Sequence, residues 1–178
     1  KGALGVFIFL GIQLLQVVVA FLPGEAVELA AGLLYGTWGG LCLCLLGIFA
    51  ASCMVYFFVR LFGAKNIDEK KLTKYHFLRD EARIRFSVFL VFFIPGTPKD
   101  LLTYLGPFLP IPAWQFLAIS TLARIPSVLT STFAASQFAE GSWQISAAVF
   151  AVTGLAALLC LLFEEHILTW FRRRRTEK

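Results

Sequence analysis

Charge is scarce in this chain. Only 15% of its 178 residues are Asp, Glu, Lys or Arg, while 58% are hydrophobic. A soluble domain carries closer to a quarter charged residues. Residues 2–22, 29–59, 101–123 and 141–163 hold no Asp, Glu, Lys, Arg or His at all. Runs of about 20 such residues are long enough to cross a ~30 Å hydrocarbon core. The composition therefore excludes an ordinary soluble protein and predicts an integral membrane protein of one domain, residues 1–178, with mean hydropathy +0.78.

Other absences narrow the chemistry. There is no G-x-S-x-G, no Walker loop, no H-E-x-x-H and no metal triad, so no enzyme activity and no cofactor is expected. The four cysteines, Cys42, Cys44, Cys53 and Cys160, lack C-x-x-C spacing, and His76 and His166 are remote in sequence. Cysteines in apolar runs behave as small hydrophobes, and no metal or redox role is expected of them. The four arginines at 172–175 follow an apolar run directly. They read as an anchor on anionic lipid rather than a nucleic-acid site. The chain opens at Lys1 without Met, so some N-terminal sequence is expected to be missing. The first apolar run has no convincing cleavage site and reads as a retained helix.

What the chain does have is one phrase written twice. Residues 21–29 read F-L-P-G-E-A-V-E-L and residues 93–101 read F-I-P-G-T-P-K-D-L. Each has a Pro-Gly break, a carboxylate four residues after the glycine (Glu28, Asp100), and then leucine. Proline removes a backbone donor and glycine loosens the backbone, so Pro23, Gly24, Pro95, Gly96 and Pro98 are predicted helix breaks. Two interrupted apolar segments in corresponding halves point to a transporter-like site.

Charge asymmetry orients the segments. Arg60 to Arg85 and the C-terminal arginines are rich in Lys and Arg, whereas 20–40 and 137–145 have none. The positive-inside rule puts the first two on the cytoplasmic side. The part from 86 onward has three apolar stretches but must start and end inside. One of them must therefore enter and leave on the same face. The resulting expectation is helix 2–20, an outer re-entrant hairpin 21–37, helix 38–62, a cytoplasmic segment 64–85, an inner re-entrant hairpin 86–110, and helices 113–137 and 143–170. The fold class is thus all-α and polytopic, with an inverted repeat of two hairpins each followed by a transmembrane helix. In segment 64–85, Asn66 and Glu69 resemble a capping box. Leu72, Tyr75, Leu78, Ala82 and Phe86 fall on one helical face, which suits a helix on the membrane surface. A solvated charged loop is the alternative.

One charge lies deep. Arg124 sits mid-way along 113–137. It shares a face with Ser120, Ser127 and Ser131, at i−4, i+3 and i+7. An arginine at that depth needs a partner or water, and the partners in the hairpins are Glu25, Glu28 and Asp100. Pairing across a cavity is predicted, with a purely structural ion pair as the alternative. Lys99 reads as a local neutraliser beside Asp100. Arg60, near the inner end of its helix, either snorkels to the interface or serves the site. Gly32, Gly36 and Gly40, spaced by four, predict close helix packing, and Trp38, Trp143 and Trp170 mark interfaces.

FLPGEAVELAAGLLYGTWGG at 21–40, YFFVRLFG at 56–63, FFIPGTPKDLLTYLG at 92–106 and LARIPS at 122–127 occur in this order. Together they resemble the DedA superfamily, the VTT-domain or SNARE-associated Golgi protein family. The likeness runs from about residue 10 to 140 and is nearest to the Golgi vesicle branch and its bacterial members. It implies two opposed re-entrant hairpins and movement of lipids between leaflets, by scrambling or by recycling of a carrier lipid phosphate. It also implies a role for Glu25 or Glu28, and for Tyr56 and Arg60 through an aromatic-x-x-x-Arg motif. The bacterial branch usually has arginine where Pro98 stands here, so a carrier-lipid substrate does not follow. The expected partners are membrane lipids, anionic or phosphate-bearing, with proton coupling through Glu28 or Asp100. A bacterial plasma membrane is expected, or an endomembrane in a eukaryote. The alternative function is a proton- or ion-coupled small-solute transporter built on the same hairpins.

Overall fold

A computed structural model describes residues 2–20, 23–62, 81–94 and 99–155. Among them there are helices and turns and no strand. The helices are α1 (Ala3–Val19), α2 (Gly24–Phe62), α3 (Glu81–Phe93), α4 (Lys99–Thr103), α5 (Ala113–Ala139) and α6 (Trp143–Leu155), with a 3₁₀ turn at Gly106–Phe108. Two helices, α2 and α5, are long and apolar enough to cross a membrane. The breaks at Pro95, Gly96 and Pro98, the capping box at Asn66, and Trp170 lie outside the described residues, as does most of segment 64–85.

Helix α2 is two limbs joined at Gly36, whose φ of 74° and ψ of −179° are non-helical. The reversal is sharp: a β-carbon on Gly40 would lie 2.9 Å from the carbonyl carbon of Ala31. The first limb, from Gly24 to Tyr35, is ~18 Å long at 1.5 Å per residue, and the second is ~39 Å.

Packing fixes the directions. Phe9 clusters with Leu41 and Cys44, Gln13 lies against Gly47, and Val17 clusters with Ala51 and Val55. Numbers rise together, so α1 runs parallel to the second limb of α2. The first limb runs back along α1, with Tyr35 edge-on to Phe9 at one end and Gly24 against Gln16 at the other. The sequence expectation is therefore corrected here. Residues 21–37 do not form a hairpin of their own. The hairpin consists of α1 and the first limb, and helix 2–20 is its descending arm. The physical reason is local. Ala20 adopts the left-handed conformation and donates its N–H to the Gln16 carbonyl, which closes α1. Pro23 then precedes a new helix, where its missing N–H is harmless.

The second half repeats this order of elements. Helix α3 ends at Phe93, short α4 begins at Lys99, the chain turns through Gly106–Phe108, and long α5 departs. Returning limb α4 ends at Thr103, short of the limb to 110 read from the sequence, because Pro107, Pro110 and Pro112 hold 104–112 out of α-helix. Arg85 donates to Gln115 at 3.1 Å and Phe92 meets Arg124, so α3 runs parallel to α5. In turn α5 runs antiparallel to the second limb of α2, with Phe116 on Tyr56 at one end and Ser136 bonded to Thr37 at the other.

The outer faces are apolar. Leu4, Phe7, Phe58, Phe62, Leu122 and Val152 are all more than half exposed. A surface this oily suits lipid, not water.

Candidate functional site

The C-terminal part of α1 meets α4 and the residue just past it. Tyr104, just past α4, donates its hydroxyl proton to the Val18 carbonyl at the open end of α1. The hydroxyl thus gives a donor to one of the carbonyls left free at the end of α1.

Asp100 is at the centre of this junction. It is 9% exposed. Its Oδ1 accepts from Arg124 Nη1 at 2.7 Å, and its Oδ2 accepts from Gln16 Nε2. Gly24 stands beside them; a β-carbon there would lie 3.6 Å from Asp100 Oδ2. Arg124 also donates from Nη2 to Thr103 at 3.4 Å, and its guanidinium lies 5.2 Å from the centre of the Phe92 ring. Its Nε has no partner among the described residues. The predicted pairing of Arg124 with a hairpin carboxylate is therefore observed, and the carboxylate is Asp100.

Sequence reading missed Gln13 and Gln16. Each is 1% exposed. Gln13 Nε2 donates to Gln16 Oε1 at 3.1 Å, which orients the amide that holds Asp100. Gln13 Oε1 is buried without a partner among the described residues. The available signal was two amides three residues apart in a run otherwise devoid of side-chain amides and charges.

Glu28 lies one turn into the first limb, buried. The Ser131 side chain of α5 lies beside it, while Oε2 has no partner among the described residues. Glu25 is exposed and lines a cavity of about 420 Å³ with Ser127, Ser131, Thr130 and Phe150. Of the predicted polar face, Ser127 and Ser131 line this cavity. Ser120 is buried and donates to its own helix at Leu117. Lys99 is half-buried at the start of α4, close enough for its charge to act on Glu25 and Glu28.

Tyr56 and Arg60 are not in this cluster. Tyr56 is buried against Phe116, and Arg60, one turn further on, is exposed near the end of α2. They stand at the far end of α5 from Ser136, about eight residues or ~12 Å along the axis from Arg124.

The profile of the VTT domain family matches residues 22–137, close to two thirds of the chain. The chain belongs to the VTT-domain family, the DedA or SNARE-associated group, and is with its apolar helices an integral membrane protein. Helix α1, with Gln13 and Gln16, lies ahead of the matched region. No curated protein and no solved structure matches the chain.

Proposed function

We propose that this VTT-domain protein moves phosphate-bearing lipids between the two leaflets of a membrane. The observation that carries the reading is the buried Arg124–Asp100 pair, held where two interrupted helices converge. A charge pair at that depth is costly to bury and weak as a source of stability. A guanidinium is the fork that binds phosphate, and Arg124 Nε has no partner among the described residues. A lipid phosphate entering the junction competes with Asp100 for the arginine. Asp100 or Glu28 then takes up a proton, which couples headgroup movement to protons.

The topology suits alternating access. The two halves have the same order of elements and run antiparallel, as in inverted repeats whose sites lie at the repeat interface. The arginine-rich ends lie on the cytoplasmic side, and the end at Gly36 and Gly141 lies outside, in a bacterial plasma membrane or an endomembrane. No bond is broken in this transport, so the protein is not an enzyme.

Leaflet exchange in proteoliposomes, with several labelled headgroups, tests the reading. Exchange that rises with protein and falls in Arg124→Gln supports it. Flux of a small solute without lipid exchange would instead support an ion-coupled solute transporter.

A further inference from the structure

The buried pair has unequal surroundings along α5. Beyond Arg124 toward Glu140, Ser127 and Ser131 line the cavity of about 420 Å³ that exposed Glu25 shares. Toward Ala113 there is close packing instead. The Phe92 ring covers the guanidinium at 5.2 Å. That ring is edge-on to Phe116 at 5.9 Å, and Phe116 in turn lies 5.7 Å from Tyr56. The three residues are between 1% and 3% exposed. They come from three elements: α3, α5 and the second limb of α2. Ile84, Val88, Ile111 and Leu117 pack around them. Gly106 seats the middle ring, since a β-carbon there would lie 2.6 Å from Phe116 Cζ.

Between this column and the cavity, α5 has a point of weakness. Pro126 stands inside the helix and removes its bond to the Leu122 carbonyl, where helices bend. The half of α5 beyond Pro126 is fastened to α2. Thr37 bonds Ser136 at 2.8 Å, and Gly32 packs closely on Thr132 and Ala135. The half from Ala113 is fastened to α3, through Arg85 on Gln115 at 3.1 Å and Phe92 on Phe116. A bend at Pro126 therefore carries α3 and the Ala113 half together, and the ring contact that parts is Phe116 on Tyr56.

We infer that Phe92, Phe116 and Tyr56 form a gate, shut in this structure, that closes the Arg124–Asp100 site toward the Ala113 end of the bundle, with Pro126 as its hinge. Rings suit the task because they seal a large area, while each ring pair is weak enough to part. The inference rests on the alternating-access reading above and supplies the barrier on one side of it.

Ser120 reports the gate. It is 2% exposed and lies on the face of α5 one turn from both Phe116 and Arg124. In a cysteine-free background reconstituted in vesicles, Ser120→Cys is treated with a small impermeant thiol reagent from each face in turn. Single cysteines at 114 and 38 tell the two faces apart. Labelling of Ser120→Cys from the Ala113 face is expected to be slow. It should be about tenfold faster once Phe116→Ala or Gly106→Ala is added, the gain expected when ring contacts leave the closed state. Ser131→Cys, labelled from the other face, should not change. Phe116→Leu and Gly106→Ala decide the matter where Phe116→Ala fails to insert. Pro126→Ala restores the helix bond and is expected to slow entry at Ser120 and lower lipid exchange. Labelling of Ser120→Cys that is already as fast as that of Ser131→Cys, or no gain in any gate variant, overturns the gate even if lipid exchange proceeds. Entry that is not slowed by Pro126→Ala overturns the hinge. Gated entry at Ser120 without any lipid exchange keeps the gate and overturns the transport reading.

Discussion

Arg124 on α5 and Asp100 on α4 are joined at 2.7 Å, and this bond ties the long second-half helix to the break that precedes it. Removing one partner leaves the other charge buried. Asp100→Asn or Arg124→Gln alone is expected to lower unfolding stability in detergent by about 3–5 kcal/mol. The double variant is expected to lose less than the sum, with a coupling of about 1–3 kcal/mol. Strict additivity in thermal unfolding would show that the pair does not act as a unit.

Gln16 and Gln13 are expected to differ. Gln16→Leu removes a donor from buried Asp100 and should destabilise by about 1–3 kcal/mol. Gln13→Leu removes one bond but also an acceptor that lacks a partner among the described residues, so its effect should be smaller. A larger loss at Gln13 than at Gln16, by the same unfolding measurement, contradicts the relay.

These amides also show where sequence reading ends. Arg124 was legible because a charge in an apolar run has few permitted environments, and the search for its partner reduced to three carboxylates. An amide in such a run has many, so the spacing of Gln13 and Gln16 points to a shared helix face but not to Asp100. The repeated Pro-Gly phrase located the first break, but not which segments form its arms. Pro-Gly was read as the tip of a hairpin folded within 21–37, whereas Pro23 starts a helix and Gly36 ends it. Gly32, Gly36 and Gly40 were legible as a packing stripe. Gly32 and Gly40 do pack closely, but Gly36 serves through its backbone angle, which spacing does not encode.

Gly36 and Gly32 separate backbone from packing. Nothing lies within 4 Å of a β-carbon placed on Gly36, yet its φ of 74° and ψ of −179° belong to a region that is essentially glycine-only. Gly36→Ala and Gly36→Asn should both lose about 1–3 kcal/mol, with asparagine giving no rescue. At Gly32 the backbone is helical, but a β-carbon would lie 2.8 Å from Ala135 Cβ and press on the Thr132 carbonyl. Gly32→Ala should therefore push α5 away from the first limb and reduce lipid exchange. Unchanged stability in both Gly36 variants would count against the sharp reversal.

Glu28 faces the Ser131 side chain, and its Oε2 has no partner among the described residues. The isosteric Glu28→Gln keeps an acceptor for Ser131, so insertion and folding should persist. If Glu28 carries a proton during transport, exchange in this variant should lose its pH dependence while the protein stays folded. Wild-type rate and wild-type pH profile would make the residue structural.

Three exposed tryptophans mark the two ends of the bundle. Trp38 follows the Gly36 reversal and Trp143 starts α6, at the end of the bundle where Thr37 bonds Ser136; Trp114 starts α5 at the opposite end, beside Arg85 and Gln115. Helix α5 is ~40 Å long, so these ends are expected at opposite membrane interfaces, where tryptophan gathers. In a background free of cysteine, single cysteines at 38 and 143 should be labelled by an impermeant thiol reagent from outside. A cysteine at 114 should be labelled only from the cytoplasmic side, with the basic segment before Arg85. The hairpin geometry makes a further demand. Position 4, at the start of α1, should be labelled from the same side as 38, because α1 descends beside the second limb of α2 rather than crossing ahead of it. Labelling of 4 and 38 from opposite faces would restore a full crossing at 2–20 and rule out a re-entrant arm there. Labelling of 38 and 114 from one face would remove the membrane-spanning reading of α5.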